Sequence, residues 1–283
     1  MSDNTTPVVD LRCEAHTYPD GTVGMHEASL TVHPDETVAL VGGNGAGKST
    51  LLEHLNGTLV PDDGELRIEG EPVDPDDPTR AREAVGFVFQ DPDTQLVAPT
   101  VLDDVAFGLQ SRGVDPETAR RRARRALADV DAAHLVDRVP HYLSGGEKRL
   151  VGLAGVLVTD PSVIVLDEPL AGLDPERSRL VADRIRQVRE AGISVVVSTH
   201  DLSFAAEIAD RVCVMADGNV VGRGTPREVF YDDPLLERAN LHPPAPVRIA
   251  RAAGLETTTQ PVTESELAAV AGDTVVPGPP ERD

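Results

Sequence analysis

No run of about 18 uninterrupted apolar residues occurs in this sequence of 283 residues, so no segment is expected to cross a membrane. The first residues, Met1-Ser2-Asp3-Asn4, carry neither the basic start nor the apolar stretch of a secretory signal. Cysteine is scarce. Cys13 and Cys213, each in or beside a β-prone run, read as buried thiols and exclude a disulfide framework. The expectation is a cytoplasmic chain, held at a membrane only through a partner. Basic residues are also short, 26 against 48 acids, for a formal net charge of −22. That balance excludes a general affinity for DNA or anionic lipid, because phosphate-backbone binding needs a basic footprint. No internal repeat is evident.

Lysine is almost missing: Lys48 and Lys148 stand alone, and every other base is an arginine. Such a surface is similar to those of proteins from salt-loving organisms, whose carboxylates hold water at high salt. An arginine-rich, acidic proteome of high GC content would give the same composition. Both lysines fall inside motifs described below. For Lys48 there is a physical reason, since a compact ammonium threads a narrow loop where a planar guanidinium fits poorly.

What is present suffices for a large core. Forty per cent of residues are apolar, and the length predicts one large α/β domain plus a subdomain or tail. Short apolar or β-branched runs at Val8–Cys13, Ala28–Val32, Thr37–Val41, Leu66–Ile68 and Val85–Phe89 read as strands separated by turn residues. From about 100 to 158 the period becomes helical, with helices predicted at Val101–Leu109, Pro116–Val130 and Glu147–Leu157. Strands at Val163–Asp167, Ser194–Ser198 and Val212–Met215 then alternate with helices at Glu176–Glu190 and Leu202–Ala209. Alternation of this kind builds a mostly parallel sheet with helices on both faces. The fold class is thus α/β, with an N-terminal β part and a helical subdomain inserted in the core. Thr225-Pro226-Arg227-Glu228 opens a short helix. Domain bounds are expected at 1–235 and 236–283, the latter a weakly helical extension with a disordered-looking end over 277–283. The cluster Arg120, Arg121, Arg122, Arg124 and Arg125 reads as a solvated helix face offsetting nearby acids.

Gly42-Gly43-Asn44-Gly45-Ala46-Gly47-Lys48-Ser49 follows a predicted strand and precedes a predicted helix, the setting that defines a phosphate loop. Its backbone N–H groups and the helix N-terminus, continuing into Thr50, suit phosphate oxygens. Lys48 would reach the β and γ oxygens, and the Ser49 hydroxyl would bind Mg²⁺. Val163–Glu168 is an apolar strand ending in two acids, placing Asp167 to hold Mg²⁺ and Glu168 to polarise an attacking water. Gln90 and His200 each follow an apolar strand and are candidates for the γ-phosphate, although either residue alone is more often structural. The remaining histidines form no metal-ligand spacing. Ser144-Gly145-Gly146-Glu147, opening a helix far downstream, is a second phosphate-binding device.

This order of segments resembles the ATP-binding-cassette (ABC) ATPases over residues 8 to 231. Leu143-Ser144-Gly145-Gly146-Glu147 is similar to the family's signature motif. The resemblance implies that Ser144, Gly145, Gly146 and Glu147 bind the γ-phosphate held by another subunit's phosphate loop. Ala171-Gly172-Leu173-Asp174 resembles the loop that crosses the dimer interface, and Tyr18 the aromatic residue that stacks on adenine. Gln90 joins Ser49 and Asp167 as an expected ligand of Mg²⁺. Repair-type relatives carry long coiled coils and translation-type relatives two cassettes, and neither feature is present, so the implied partners are a second ATPase subunit and integral membrane transport subunits.

Phe89–Leu96, Pro99-Thr100-Val101, Asp104–Gly108 and Ser144–Arg149 running into Leu153–Leu157 are similar to energy-coupling-factor importer ATPases, especially the cobalt/nickel type. The extension beginning near Leu235 fits that group, where it would help to hold two cassettes together. Leu170 and Leu150 depart from its pattern. The expectation is an ATPase at the cytoplasmic face of the membrane, using ATP and Mg²⁺ to drive import of cobalt or nickel ion or a vitamin such as biotin. A soluble ATP-driven switch, a non-catalytic ATP-binding module and an exporter are the competing readings.

Overall fold

The structure, a computed structural model, describes residues 6–255 and 259–273. Two sheets share one interior. The first is antiparallel, with β1 (Val9–Thr17), β2 (Val23–Val32), β4 (Asp63–Ile68) and β5 (Glu71–Pro72) in the order β2-β1-β4-β5. The second contains β3 (Thr37–Gly42), β6 (Val85–Val88), β7 (Val163–Asp167), β8 (Ser194–Thr199), β9 (Arg211–Ala216) and β10 (Asn219–Gly224), in the order β10-β9-β3-β8-β7-β6. Five of its strands are parallel, and β10 adds antiparallel at the edge beside β9.

Strand periodicity explains how this second sheet is covered on both faces. Along β3, Ala39 and Val41 face one apolar cluster while Val38 and Leu40 face the other. Ile164 and Leu166 alternate with Val163 and Val165 on β7 in the same way, as do Val195 and Val197 with Val196 on β8. A side-chain period of two thus makes a continuous apolar run serve two cores, as buried parallel strands require. Helix α1 (Lys48–Leu55) and the antiparallel sheet close one face, with Leu51, Leu52 and Leu55 fully buried. The other face is covered by α3 (Val101–Ser111), α4 (Pro116–Asp129), α5 (Gly145–Leu157), α6 (Pro175–Glu190) and α7 (Leu202–Ile208). A short α2 (Thr79–Ala84) leads into β6.

Because β6 and β7 are hydrogen-bonded neighbours, α3, α4 and α5 form an insertion between adjacent strands, as the change of period predicted. Its helices start at side-chain caps: Thr100 for α3, Asp115 followed by Pro116 for α4, and Ser144 for α5. The arginine-rich stretch of α4 lies on the solvent side, where Arg120 pairs with Asp103 at 2.8 Å and Arg122 with Asp160. The two sheets are pinned by Arg211, whose guanidinium grips Glu36 at 2.7 and 2.9 Å and also donates to the Thr31 carbonyl of β2. Cys13 and Cys213 are free and buried, and burial pushes the Cys13 thiol up to about 11.

The core continues across residue 235. After α8 (Pro226–Phe230) come α9 (Asp233–Arg238), α10 (Ala245–Ala252) and α11 (Glu264–Asp273), and Leu236, Ala239, Val247 and Val262 join the same apolar cluster as Phe230. Gly222 on β10 makes room for this packing, since a Cβ there would lie 2.5 Å from the side chain of Leu235. The stretch 277–283, expected to be disordered, lies outside the described residues. Among the described residues no helix is long and apolar enough to cross a membrane. Phe230 is fully buried where α8 meets the sheet. Phe230→Ala is therefore expected to cost about 3–5 kcal/mol, read as a lower urea midpoint with an unchanged slope.

Candidate functional site

Register brings the candidate residues to one edge. Val41 pairs with Thr199, Gly42 with Met215, Asp167 with Ser198 and Val88 with Leu166. The loops that leave β3, β6, β7 and β8 therefore emerge together at the C-terminal ends of parallel strands, where open α/β sheets place ligands. The segments from those loops are Gly42–Thr50, Gln90, Asp167–Glu168 and His200. Gln90 is exposed just beyond β6, which ends at Val88, one residue earlier than the predicted strand.

The phosphate loop has the conformation that its glycines allow. Gly47 sits at φ +94° as the residue before α1, and a Cβ at Gly42 would approach the Met215 carbonyl oxygen to 2.6 Å. Positions 43 and 45, by contrast, have open space where a side chain would project, so the backbone there is free to meet a ligand. Asn44 and Ser49 are exposed, and Ala46 is buried under the loop. Lys48 is buried and turns back over the loop, donating from Nζ to the carbonyls of Gly42 (3.0 Å) and Gly43 (3.2 Å).

Glu168 joins the parts. One carboxylate oxygen lies 3.6 Å from Lys48 Nζ, and the other is 2.8 Å from Nδ1 of His200. Glu168 is itself buried, whereas the His200 side chain is 64% exposed and reaches in from the surface. The Glu168 backbone has φ +45°, a left-handed conformation that costs a side-chain-bearing residue about 1–3 kcal/mol. Ser198, fully buried on β8, offsets part of that cost. Its hydroxyl accepts from Glu168 N–H at 2.9 Å and donates to Asp167, so it orients both acids. Sequence reading passed over Ser198, whose only signal was a hydroxyl inside an otherwise apolar strand.

Tyr18 is half-buried in the turn joining β1 to β2, and its hydroxyl bonds the Thr50 hydroxyl at 2.8 Å. The structure thus brings Tyr18 against α1 next to the phosphate loop, and it commits Thr50's hydroxyl to that contact. Beneath Tyr18 lie two further histidines that the sequence did not single out. His16 is edge-on to Tyr18 and to His54, with ring centroids 5.0 and 4.6 Å apart. His54 is fully buried and meets the Thr50 carbonyl at 2.6 Å through Nδ1, while its Nε2 makes no hydrogen bond of normal geometry among the described residues.

The second device stands apart. Ser144 caps α5 in a capping box: its N–H and its hydroxyl each donate to Glu147 at 2.7 Å, and Glu147 N–H returns to the Ser144 oxygen. These bonds hold the Glu147 carboxyl below the usual carboxylate range. The helix begins at Gly145, two residues before the predicted start, because Gly145 and Gly146 form its first turn. Gly146 is packed against the Arg177 side chain. A cavity of about 300 Å³ beside them, lined in part by Asp131, His134, Ser144 and Arg177, shares no residue with the Lys48–Glu168–His200 group. Asp174, in the loop after β7, is exposed and caps α6 through Arg177 N–H at 3.0 Å.

A metal ion would find oxygen donors here. The Ser49 hydroxyl is exposed at the first turn of α1, and Asp167 is fixed by Ser198. Among the described residues no group of three or more His, Cys, Asp or Glu side chains could hold a metal. Hard oxygen donors too few for a cage suit Mg²⁺, which keeps waters and shares substrate phosphates.

A glycine cradle, a strand ending in two acids and a separate signature helix define an ATP-binding cassette. The chain belongs to the ABC transporter family: the family profile described as ABC transporter matches residues 25–171. It is 43% identical to the energy-coupling factor transporter ATP-binding protein EcfA of Methanothermobacter thermautotrophicus, over 84% of this chain and 77% of the relative. The EcfA of Methanocaldococcus jannaschii is 44% identical, over 80% and 82%. Among solved structures, CbiO1 from Clostridium perfringens, described as part of the ABC transporter complex CbiONQ, superposes with a TM-score of 0.73 at 34% identity, over 89% of this chain and 99% of that one. A dimeric ATP-binding cassette in a post-hydrolysis state, bound to ADP and Pi, gives 0.69 at 28% identity, over 77% and 99%. The chain is accordingly an ATP-binding subunit of the energy-coupling-factor type, in a family of ATPases coupled to transport.

Burial lowers the His54 pKa from 6.5 to about 4. Between those values the unfolded chain takes a proton that the folded chain refuses, so stability falls as pH drops from 6.5 toward 4. The loss attributable to this group is about 3 kcal/mol, complete below the folded value. His54→Leu is expected to flatten that part of the stability–pH profile. An unchanged slope would show that His54 is not its source.

Proposed function

We propose that this chain hydrolyses ATP at the edge formed by Gly42–Thr50, Asp167–Glu168 and His200, as the energy-coupling subunit of an importer at the cytoplasmic face of the membrane. The observation that carries this reading is the Glu168 carboxylate, set between Lys48 and His200 at the end of a buried strand. In the proposal Lys48 exchanges its loop carbonyls for β- and γ-phosphate oxygens, and loop N–H groups with the start of α1 hold the remaining charge. Glu168 accepts a proton from the attacking water, and His200, already bonded to Glu168, contacts the γ-phosphate. Ser49, Asp167 and Gln90 would hold Mg²⁺, which would supply charge neutralisation when bound. Tyr18 provides the adenine platform, its ring fixed by the bond to Thr50.

The separation of Ser144 from this edge supports a composite site. Two copies, or this chain and a paralogue, would face head to tail so that Ser144, Gly145, Gly146 and Glu147 of one close over the γ-phosphate held by the other. Asp174, exposed beside them, would lie at that interface. Closure would have to turn the Ser144 hydroxyl from Glu147 toward phosphate. Integral membrane subunits complete the assembly. The cargo class is the one that the sequence resemblance implies, cobalt or nickel ion or a vitamin such as biotin, and neither nucleic acid nor direct membrane insertion is involved.

Glu168→Gln keeps the shape of the side chain and removes the base. Steady-state phosphate release from the assembled transporter is expected to fall about 10²- to 10⁴-fold while ATP binding persists. Turnover near the parent rate would refute the assignment. Uptake of labelled Co²⁺, Ni²⁺ or biotin by cells with and without the gene is expected to reveal one gene-dependent cargo, and gene-independent uptake of all three would remove the proposed class.

A further inference from the structure

We infer that Arg149 is a positioning residue for hydrolysis: from the first turns of α5 it holds the backbone turn that carries Glu168, and so ties the placement of that carboxylate to the signature helix. The inference rests on the reading of Glu168 as the general base.

The turn is tight and strained. Ala171 N–H donates back to the Glu168 carbonyl at 3.1 Å, and Glu168 occupies the left-handed region. Arg149 spans the outside of this turn with both ends of its fork. Nη1 donates to the Glu168 carbonyl at 3.3 Å and Nη2 to the Ala171 carbonyl at 2.6 Å. A planar guanidinium can bridge two carbonyls of one turn, whereas the ammonium of a lysine would reach them only as a single point.

The side chain is buried, and desolvation lowers its pKa against the opposing charges of Asp91 and Glu168. Burying a cation mainly among backbone carbonyls is a poor route to stability, since an apolar replacement of similar volume often does as well. Control of geometry gives this residue a purpose that stability does not.

The neighbours of Arg149 extend the linkage. Lys148, the preceding residue, pairs with Asp93 in the loop after β6. In the same loop Gln95 bridges Phe89 N–H (3.3 Å) and the Gly152 carbonyl of α5 (3.2 Å). Helix α5 is thus bonded on one side to the loop that carries Gln90 and on the other to the turn that carries Glu168. Ser144 is its cap. A displacement of α5 relative to the sheet therefore acts on Glu168 through Arg149, with no intervening residue.

The test compares Arg149→Met, Arg149→Lys and Glu168→Gln in the full chain assembled with its membrane partner. A misplacement of about 1 Å at a reacting group can cost about 10²-fold, so Arg149→Met is expected to lower kcat by about 10- to 100-fold. Its KM for ATP should stay within about twofold of the parent, because the phosphate loop is untouched. Arg149→Lys, which keeps a cationic donor on a stem of similar length, is expected to fall between Arg149→Met and the parent. Parental kcat in both Arg149 variants, with Glu168→Gln inactive, would overturn the positioning role and leave the base assignment standing. Parental turnover in Glu168→Gln would overturn the base assignment and this inference with it. A rise in KM parallel to the loss of kcat, with no partial recovery in Arg149→Lys, would assign Arg149 to general folding and overturn the inference as well. If Arg149→Met does not fold, Arg149→Lys decides by the same comparison of kcat with KM.

Discussion

A buried carboxylate at the end of a buried strand is the constraint on which this molecule depends. For the role proposed above, Glu168 has to be close to Lys48 and His200 and sheltered from water, and its backbone has to turn sharply as the strand ends. Parallel strands meet these demands because their C-terminal ends open on one edge, and register sets loops from distant parts of the chain side by side there. The same geometry requires apolar side chains on both sheet faces, and so it requires helices and a second sheet to cover them. The architecture follows from how one acid is presented.

The separation of the Ser144 segment from the glycine loop has a mechanical side. Ser144 and the Lys48–Glu168–His200 group line different regions of one chain, yet α5 is bonded to both the β6 loop and the β7 turn. In the proposed head-to-tail pair, each signature helix would touch its partner's nucleotide while remaining braced to its own chain's acid. Short polar contacts of this kind move as units, since the packed interior around them resists gradual deformation. The joints are Lys148, Arg149 and Gln95, and none of them belongs to the phosphate loop.

Much of the fold was legible in the sequence, and the reasons are local. The apolar runs of β3, β7 and β8 are continuous because both faces are buried, and Pro116 and Thr225 mark helix starts directly. Less visible was β10, in which Gly222 and Gly224 interrupt the apolar pattern because α9 packs closely over the first and α8 over the second. The first half of β2 was hidden by exposed polar residues and by Glu27, which sits at a positive φ. The motif residues stood out because charge and glycine at the ends of apolar runs are chemically conspicuous. Ser198, His16, His54 and Arg149 did not, since each acts through a partner more than 15 residues away in the chain or through a buried ring contact that no spacing encodes.

The near absence of lysine has a practical face. Lys48 and Lys148 are the chain's only lysines, and both are buried, one over the phosphate loop and one against Asp93. Outside these sites the positive surface is guanidinium, which ordinary acylating labels and amine cross-linkers leave alone. Side-chain chemistry aimed at primary amines would find an almost blank exterior. Apart from one on the chain's α-amino group, an amine adduct would report on the nucleotide cradle or on the brace of the signature helix, which makes a common reagent a selective probe of these two sites.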